Sequence, residues 1–386
     1  MNGSAARDPR LDALRGFALA GILLVNIQSY AYGAVNPIGF LPADAGPIDR
    51  LAYFLTAALV AGKFMPLFGM LFGAGFALLY ERLRSSVPDA RAIYRRRLVV
   101  LFVIGILHGV FFYFADIAHT YALAGFVLLL HADADAAATA RATASWWIAA
   151  AVWTLLLAAS AGVAPPDVSA ELVEEANLNA AATVALGYGE QWPIRVEMFI
   201  WQAQANLLSF PIVIALMMTG VLAQRAGWLA DLRAPAWTIA IRIGALVGMP
   251  AGLVWGFWSV THAGLAESMQ PPAALVIVLG ANVALSFIYA AAFLRRAPEW
   301  LVRVLAPAGR MPLSNYVLQS VAMGAVLSGW GLALAEIGYA QLAAVACVIF
   351  AAQLAISRWW LAHFRQGPLE ALWRAWTYRG IVRASG

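Results

Sequence analysis

About ten stretches of this chain stay apolar for the roughly 20 residues that a helix needs to cross the hydrocarbon core of a bilayer. They run approximately over 12–33, 51–80, 97–114, 117–131, 144–163, 196–223, 236–260, 272–294, 310–330 and 337–362. The second is long enough to be tilted, or broken near Lys63 and Pro66, and the fourth is short. Irregular backbone at membrane depth must be buried in protein or face a wet cavity. Composition agrees: 63% of the residues are hydrophobic and 12% are charged, against about 25% charged in soluble proteins. An apolar surplus on that scale needs lipid as its solvent. The expected fold is all-α, a polytopic integral membrane helix bundle of about ten transmembrane helices. It forms one domain over 1–386, with an N-terminal half to about 163, an outer loop over about 164–195 and a C-terminal half from about 196.

The net charge of +5 would raise nucleic acid as a partner for a soluble chain. Here the basic residues lie in short loops, where they set topology, and no nucleic acid is expected. Arg7, Arg10 and Arg15 precede or open the first span, and Arg82, Arg84, Arg91, Arg95, Arg96 and Arg97 lie between the second and third. Arg225, Arg233, Arg295, Arg296 and Arg303 follow in later loops, and Arg365, Arg374, Arg379 and Arg383 close the chain. Ten spans put all of these on one side, leaving Arg50, Arg195 and the acidic Glu171, Glu174, Glu175 and Glu190 on the other. Both termini are therefore expected in the cytoplasm, with the protein multi-pass in a bacterial inner membrane. The long first apolar stretch reads as a retained helix rather than a cleaved signal. The single cysteine, Cys347, sits in an apolar run, which excludes a disulfide framework and leaves it without an activating neighbour.

Ionisable and amide side chains inside hydrocarbon cost several kcal/mol and are functional candidates. In the first span Asp12 and Arg15 can pair on one face. Asn26, eleven residues beyond Arg15, returns to that face roughly 16 Å deeper. The third span repeats the spacing: His108 lies eleven residues after Arg97, again about 16 Å in. Gly105 and Gly109 flank it as a small-xxx-small pair that admits a close neighbour. Asp116 follows towards the outer surface, near His119; two such residues without a third ligand do not make a metal site, and no metal is expected. Glu197, Gln202 and Asn206 mark the sixth span, Asn282 and Ser286 the eighth, and Arg310, Ser314, Asn315, Tyr316 and Gln319 the ninth. Each of these also suits helix–helix glue or a snorkelling arginine. Together they imply a polar cavity through the bundle. Pairs such as Gly69/Gly73, Gly244/Gly248 and Gly252/Gly256 read as packing faces, and the fifteen tryptophans as interfacial belts. Walker, GxSxG and HExxH patterns do not occur.

Four blocks resemble the YeiB-type family of uncharacterised membrane proteins: RLDALRGFALAGILLVNIQSY at 10–30, RRRLVVLFVIGILHGVFFYFADI at 95–117, GRMPLSNYVLQS at 309–320 and RQGPLEALWRAWTYRG at 365–380. The first-span pattern is also similar to the broader transmembrane acyltransferases, which include heparan-α-glucosaminide N-acetyltransferase and the acyltransferase-three sugar O-acetylases. That resemblance implies acyl-CoA bound from the cytoplasm and an acceptor on the far side. Asp12, Arg15, Gly16 and Asn26 match the group's D-x-x-RG…VN block. The group's histidine about eleven residues after the asparagine is replaced by Pro37, which leaves His108 to supply a base from another helix.

The reaction so implied is direct acyl transfer, without a covalent enzyme intermediate, to an acceptor hydroxyl or amine. Acyl-CoA, acetyl-CoA foremost, is the expected co-substrate. Arg15, Arg97 and Arg310 would attract its phosphates, and Asp12, Gln202, Asn206, Asn315 and Gln319 would line its path. His108 would act as base, the Asn26 amide would donate to the oxyanion at about 2.7–4 kcal/mol, and Asp116 would steady His108 if the outer end of its helix curls inward. Expected partners are membrane lipids and a small-molecule, glycan or lipid acceptor, with a homodimer left open. A transporter or flippase for a small metabolite or lipid is the alternative, and a non-catalytic scaffold a third.

Overall fold

The structure is a computed structural model describing residues 8–32, 41–42, 44–161, 167–261, 272–334 and 337–379, with side chains other than those of 160, 161, 167–173, 176 and 272–279. Pro37, Arg7 and Arg383 lie outside the described residues. Every regular element described is helical. The first half holds α1 (Pro9–Ala31), α2 (Pro47–Leu59), α3 (Phe64–Ser86), α4 (Ala90–Phe111), α5 (Ala118–Leu130), α6 (Ala136–Ala161) and α7 (Asp167–Ala185). The second holds α8 (Trp192–Leu208), α9 (Phe210–Arg225), α10 (Pro235–Ile243), α11 (Met249–Thr261), α12 (Pro272–Arg296), α13 (Glu299–Arg310), α14 (Pro312–Leu327), α15 (Tyr339–His363) and α16 (Pro368–Thr377). A π-helical turn, Gly244–Gly248, joins α10 to α11 without breaking the rod.

Five of these units are long and apolar enough to cross a membrane, namely Pro9–Ala31, Pro47–Ser86 taken through its break, Ala136–Ala159, Pro235–Thr261 and Tyr339–His363. The bent pair α8 and α9 makes a sixth. With Leu246, Val254, Phe257 and Val348 all more than half exposed, their outer faces suit lipid and not water. The chain is thus a membrane protein with transmembrane helices.

Helix starts follow local chemistry. The Asp8 carboxylate accepts from Arg10 N at 2.8 Å ahead of Pro9, and Asp89 accepts from Ala92 N at 2.8 Å. A distant residue caps α14: Glu370 of α16 accepts from Leu313 N at 2.7 Å and Ser314 N at 3.1 Å, which places a carboxylate on the positive end of the helix.

The expected break in the second span is present. Val60–Lys63 is non-helical, with Gly62 at φ 77°, where a side chain would be strained. The freed carbonyls find partners, as hydrocarbon demands: Ser286 Oγ donates to Lys63 O at 2.5 Å, Tyr289 OH to Leu59 O at 2.7 Å and Lys63 Nζ to Ala57 O at 2.6 Å. Three expectations need correcting. The outer loop contains α7. The sixth span is bent by 63° at Ser209, where Pro211 cannot donate back into the preceding turn. The 295–310 connection carries α13, whose Val302, Leu305 and Ala308 are buried while Trp300 and Arg303 stay exposed.

The bundle has one arginine-rich end. There Arg10 bonds Leu294 O and Glu299, Arg91 pairs with Asp133 at 2.6 Å, and Trp373 Nε1 donates to Arg97 O at 2.7 Å. The Arg91 guanidinium holds the Asp133 carboxyl below the usual carboxylate range. At the other end Ala340 N donates to Asp49 at 2.9 Å, Tyr30 OH meets Ser328 Oγ at 2.8 Å, and Arg195 donates to Phe111 O at 3.1 Å.

Candidate functional site

Between the two ends, five side chains form one hydrogen-bonded chain. His108 Nδ1 lies 2.8 Å from Asp116 Oδ2, and His108 Nε2 lies 2.8 Å from Ser320 Oγ. The second carboxylate oxygen, Asp116 Oδ1, takes His119 Nδ1 at 2.8 Å and His119 N at 3.0 Å. His119 Nε2 then meets Thr120 Oγ1 at 3.2 Å. All of these residues are buried: Asp116 is 0% exposed, His108 and Ser320 2% each.

The backbone path explains how they meet. α4 ends at Phe111, and residues 112–117 fold back into the bundle instead of continuing outward. Asp116, which spacing alone placed near the outer surface, is thereby carried inward to His108. This satisfies the condition that the outer end of the helix curls. Gly105 makes the return possible, because a β-carbon there would stand 2.4 Å from His119 N and 2.9 Å from Asp116 Oδ1. Gly109 likewise admits the Phe199 ring of α8, which packs edge-on to His119 at 5.2 Å. The small-xxx-small pair around His108 therefore serves the site itself.

Asp116 fixes the protons around it. An ionised carboxylate only accepts, so both Nδ1 atoms are donors. In a neutral His108 the lone pair then sits on Nε2, facing the Ser320 hydroxyl. The turn is held from the α8 side, where Asn206 Nδ2 donates to Asp116 O at 3.1 Å and Gln202 Nε2 to Asn206 Oδ1 at 2.7 Å. Tyr316, one turn before Ser320, packs on the His108 ring at 4.7 Å, and its hydroxyl accepts from Ile117 N at 3.3 Å.

The remaining sequence candidates fall into three other places. Asn26 is half-buried on α1, and its carbonyl accepts from Tyr113 OH at 3.4 Å; its amide is not among the bonds that His108 and Asp116 make. Asn315 and Gln319 tie helices together. Asn315 Nδ2 donates to Ala308 O and Ser357 Oγ, and Gln319 Nε2 to Leu19 O and Gln353 Oε1. Asp12 and Arg15 pair at 2.7 Å, Arg97 stacks on Trp373 at 3.4 Å, and Arg310 is half-buried at the end of α13, all at the arginine-rich end.

Towards that end the expected polar passage is met by buried apolar side chains. Along α4 from His108 towards the arginines stand Leu101 and Leu98, along α5 Ala122, and along α14 Tyr316 and Leu313, all buried. Sequence reasoning missed Ser320. It is one more small polar residue in an apolar helix, and only its distance from His108 sets it apart.

Residues 223–380 match the family described as "Protein of unknown function (DUF418)". The chain is similar to the "Uncharacterized protein YeiB" of Escherichia coli (strain K12), 29% identical over 97% of both chains. It is also similar to the "Uncharacterized protein YxaH" of Bacillus subtilis (strain 168), 25% identical over 95% of this chain and 93% of the other. No solved structure matches it. The relay draws on both halves, since Ser320 lies within the DUF418 match and His108, Asp116, His119 and Thr120 precede it.

Proposed function

From the premise that this chain belongs to the YeiB-type family, we propose that it is a multi-pass acyltransferase of a bacterial inner membrane. It moves an acyl group, acetyl foremost, from cytoplasmic acyl-CoA to a hydroxyl or amine of an acceptor on the other side. The observation that carries this reading is the buried Asp116–His108 pair with its Nε2 lone pair aimed at a hydroxyl 2.8 Å away. A histidine held by a carboxylate in that tautomer is a general base, worth roughly 10²–10⁴-fold in rate.

The chain crosses the membrane about ten times, with α2–α3 and α8–α9 each counted as one crossing. The arginine-rich end faces the cytoplasm, and α1 and α16 begin and finish there. Arg15, Arg97 and Arg310 stand where the CoA phosphates arrive. The packed layer of Leu98, Leu101, Ala122 and Leu313 has to part for the thioester to reach His108, and its closure otherwise keeps protons and water from leaking through.

The test is acetyl-CoA binding and CoA release by the purified protein, alongside His108→Ala. Binding is expected in both, with release falling at least about 100-fold in the variant. Absence of binding at acetyl-CoA on the order of 1 mM rejects the proposal. Transport of a small metabolite or lipid is a second reading, favoured by the broken α2–α3 span with Lys63 buried at the break. Solute flux into liposomes without acyl-CoA would select it.

A further inference from the structure

We propose that Ser320 is a nucleophile that carries the acyl group covalently, so that transfer runs in two steps. The inference rests on the acyl-transfer reading for its donor, but on the geometry around Ser320 for its chemistry. A serine inside a helix ordinarily bonds back to the carbonyl four residues earlier. Ser320 Oγ keeps that contact with Tyr316 O only at 3.5 Å, whereas it meets His108 Nε2 at 2.8 Å. The hydroxyl is therefore directed at the base. Asp116, 2.8 Å behind the ring, completes the order of nucleophile, base and orienting carboxylate that activates a serine.

Occupancy points the same way. An acceptor hydroxyl could use His108 directly only by displacing Ser320 from Nε2, while Ser320 already holds that position. In the first step Ser320 Oγ attacks the thioester carbonyl, and its proton passes to His108 Nε2. The C–S bond breaks, and the proton leaves with the thiolate as free CoA thiol. In the second step the acceptor hydroxyl or amine gives its proton to His108 and attacks the seryl ester. The ester C–O bond breaks, and Ser320 recovers the proton. Atoms and charge balance with acyl-CoA and acceptor as the only reactants. Asn206 and Gln202 act as positioning residues through the Asp116 backbone.

Two readouts on the purified full chain separate this idea from the one beneath it. A fluorophosphonate probe reports an activated serine without any CoA. Peptide mass mapping after acid quench reports an acetyl group from acetyl-CoA. Expected results are phosphonylation at Ser320, lost in Ser320→Ala and slowed about 100-fold or more in His108→Ala, and an acetylated Ser320 peptide. Ser320→Cys should yield instead a thioester at position 320 that neutral hydroxylamine removes. An unlabelled Ser320 in the wild-type protein overturns the proposal. So does acetyl-CoA turnover with Ser320 unmodified in the quench, although acyl transfer then stands as a direct reaction. Phosphonylation of Ser320 with no acetyl-CoA binding upholds the nucleophile and removes CoA as the donor.

Discussion

Asp116 is the residue on which the site turns. A fully buried carboxylate is tolerable only with partners, and this one has three N–H donors on its two oxygens. Asp116→Asn keeps the shape but adds an amide donor opposite ring nitrogens that now donate. One histidine must take the other tautomer, and if it is His108 the lone pair turns away from Ser320. The expected result is a loss of roughly 10⁴-fold in transfer, the size seen when a triad aspartate is amidated. Folded protein should still be recovered, as read by acetyl-CoA turnover together with a thermal melt in detergent. Activity within a few-fold of wild type would mean that Asp116 serves folding alone. His108 was legible in the sequence because a histidine is conspicuous in an apolar helix and flanking glycines announce close packing. Ser320 was not, since a serine in a membrane helix is cheap and common and its meaning lies in a contact 212 residues away. Asn26 stood out by its matching block, yet its amide is not part of the relay's bonding.

At the level of elements, glycines set how closely helices approach, and the approach sets the site. Where α3 crosses α9, a β-carbon at Gly73 would stand 1.9 Å from Met217 O and one at Gly220 the same distance from Met70 O. Both obstacles are backbone and cannot swing aside. Gly73→Ala should therefore destabilise by about 1–3 kcal/mol, the usual cost of overpacking. At Gly280 on α12, a β-carbon meets nothing within 4 Å among the described residues, so Gly280→Ala should hold or gain about 0.5–1 kcal/mol. Thermal melts of the two variants in one detergent compare them, and equal shifts would undo the packing argument. The apolar runs gave most helices to within a few residues, including the short α5 and the break at Lys63. They could not show α7 and α13, because a helix lying against a bundle need not be apolar throughout. They also ran α8 and α9 together, since hydropathy does not register a bend. The inward fold of residues 112–117 was readable only as a condition, because six residues of FYFADI-like composition suit a continuing helix as well as a return.

For the whole molecule, charge and packing have to agree on which end is inside. At the arginine-rich end the ion pairs and caps join α1 to α12 and α13, α4 to the turn between α5 and α6, and α14 to α16, while at the other end the contacts of Asp49, Tyr30 and Arg195 join α2 to α15, α1 to the end of α14, and α8 to α4. Helices whose ends alternate in this way, with most of the arginines at one set and Arg50 and Arg195 at the other, leave little freedom in orientation once insertion follows the positive-inside bias. This has a direct consequence for catalysis. His108 and Ser320 lie beyond Leu98 and Leu101 as seen from the arginines, so under the proposed acyl transfer the donor would approach from one end and the acceptor from the other. The orientation is open to a thiol-accessibility experiment in a Cys347→Ser background, because Cys347 is the chain's single cysteine. Ser85→Cys places a thiol on an exposed position of the arginine-rich end, and Gly189→Cys places one on an exposed position of the other. With a membrane-impermeant maleimide on cells whose outer membrane has been opened, Gly189→Cys should react at once and Ser85→Cys only after the inner membrane is lysed. The reverse order would put the arginines outside. It would also send acyl-CoA to the end of the bundle that carries few of the cations needed to hold its phosphates.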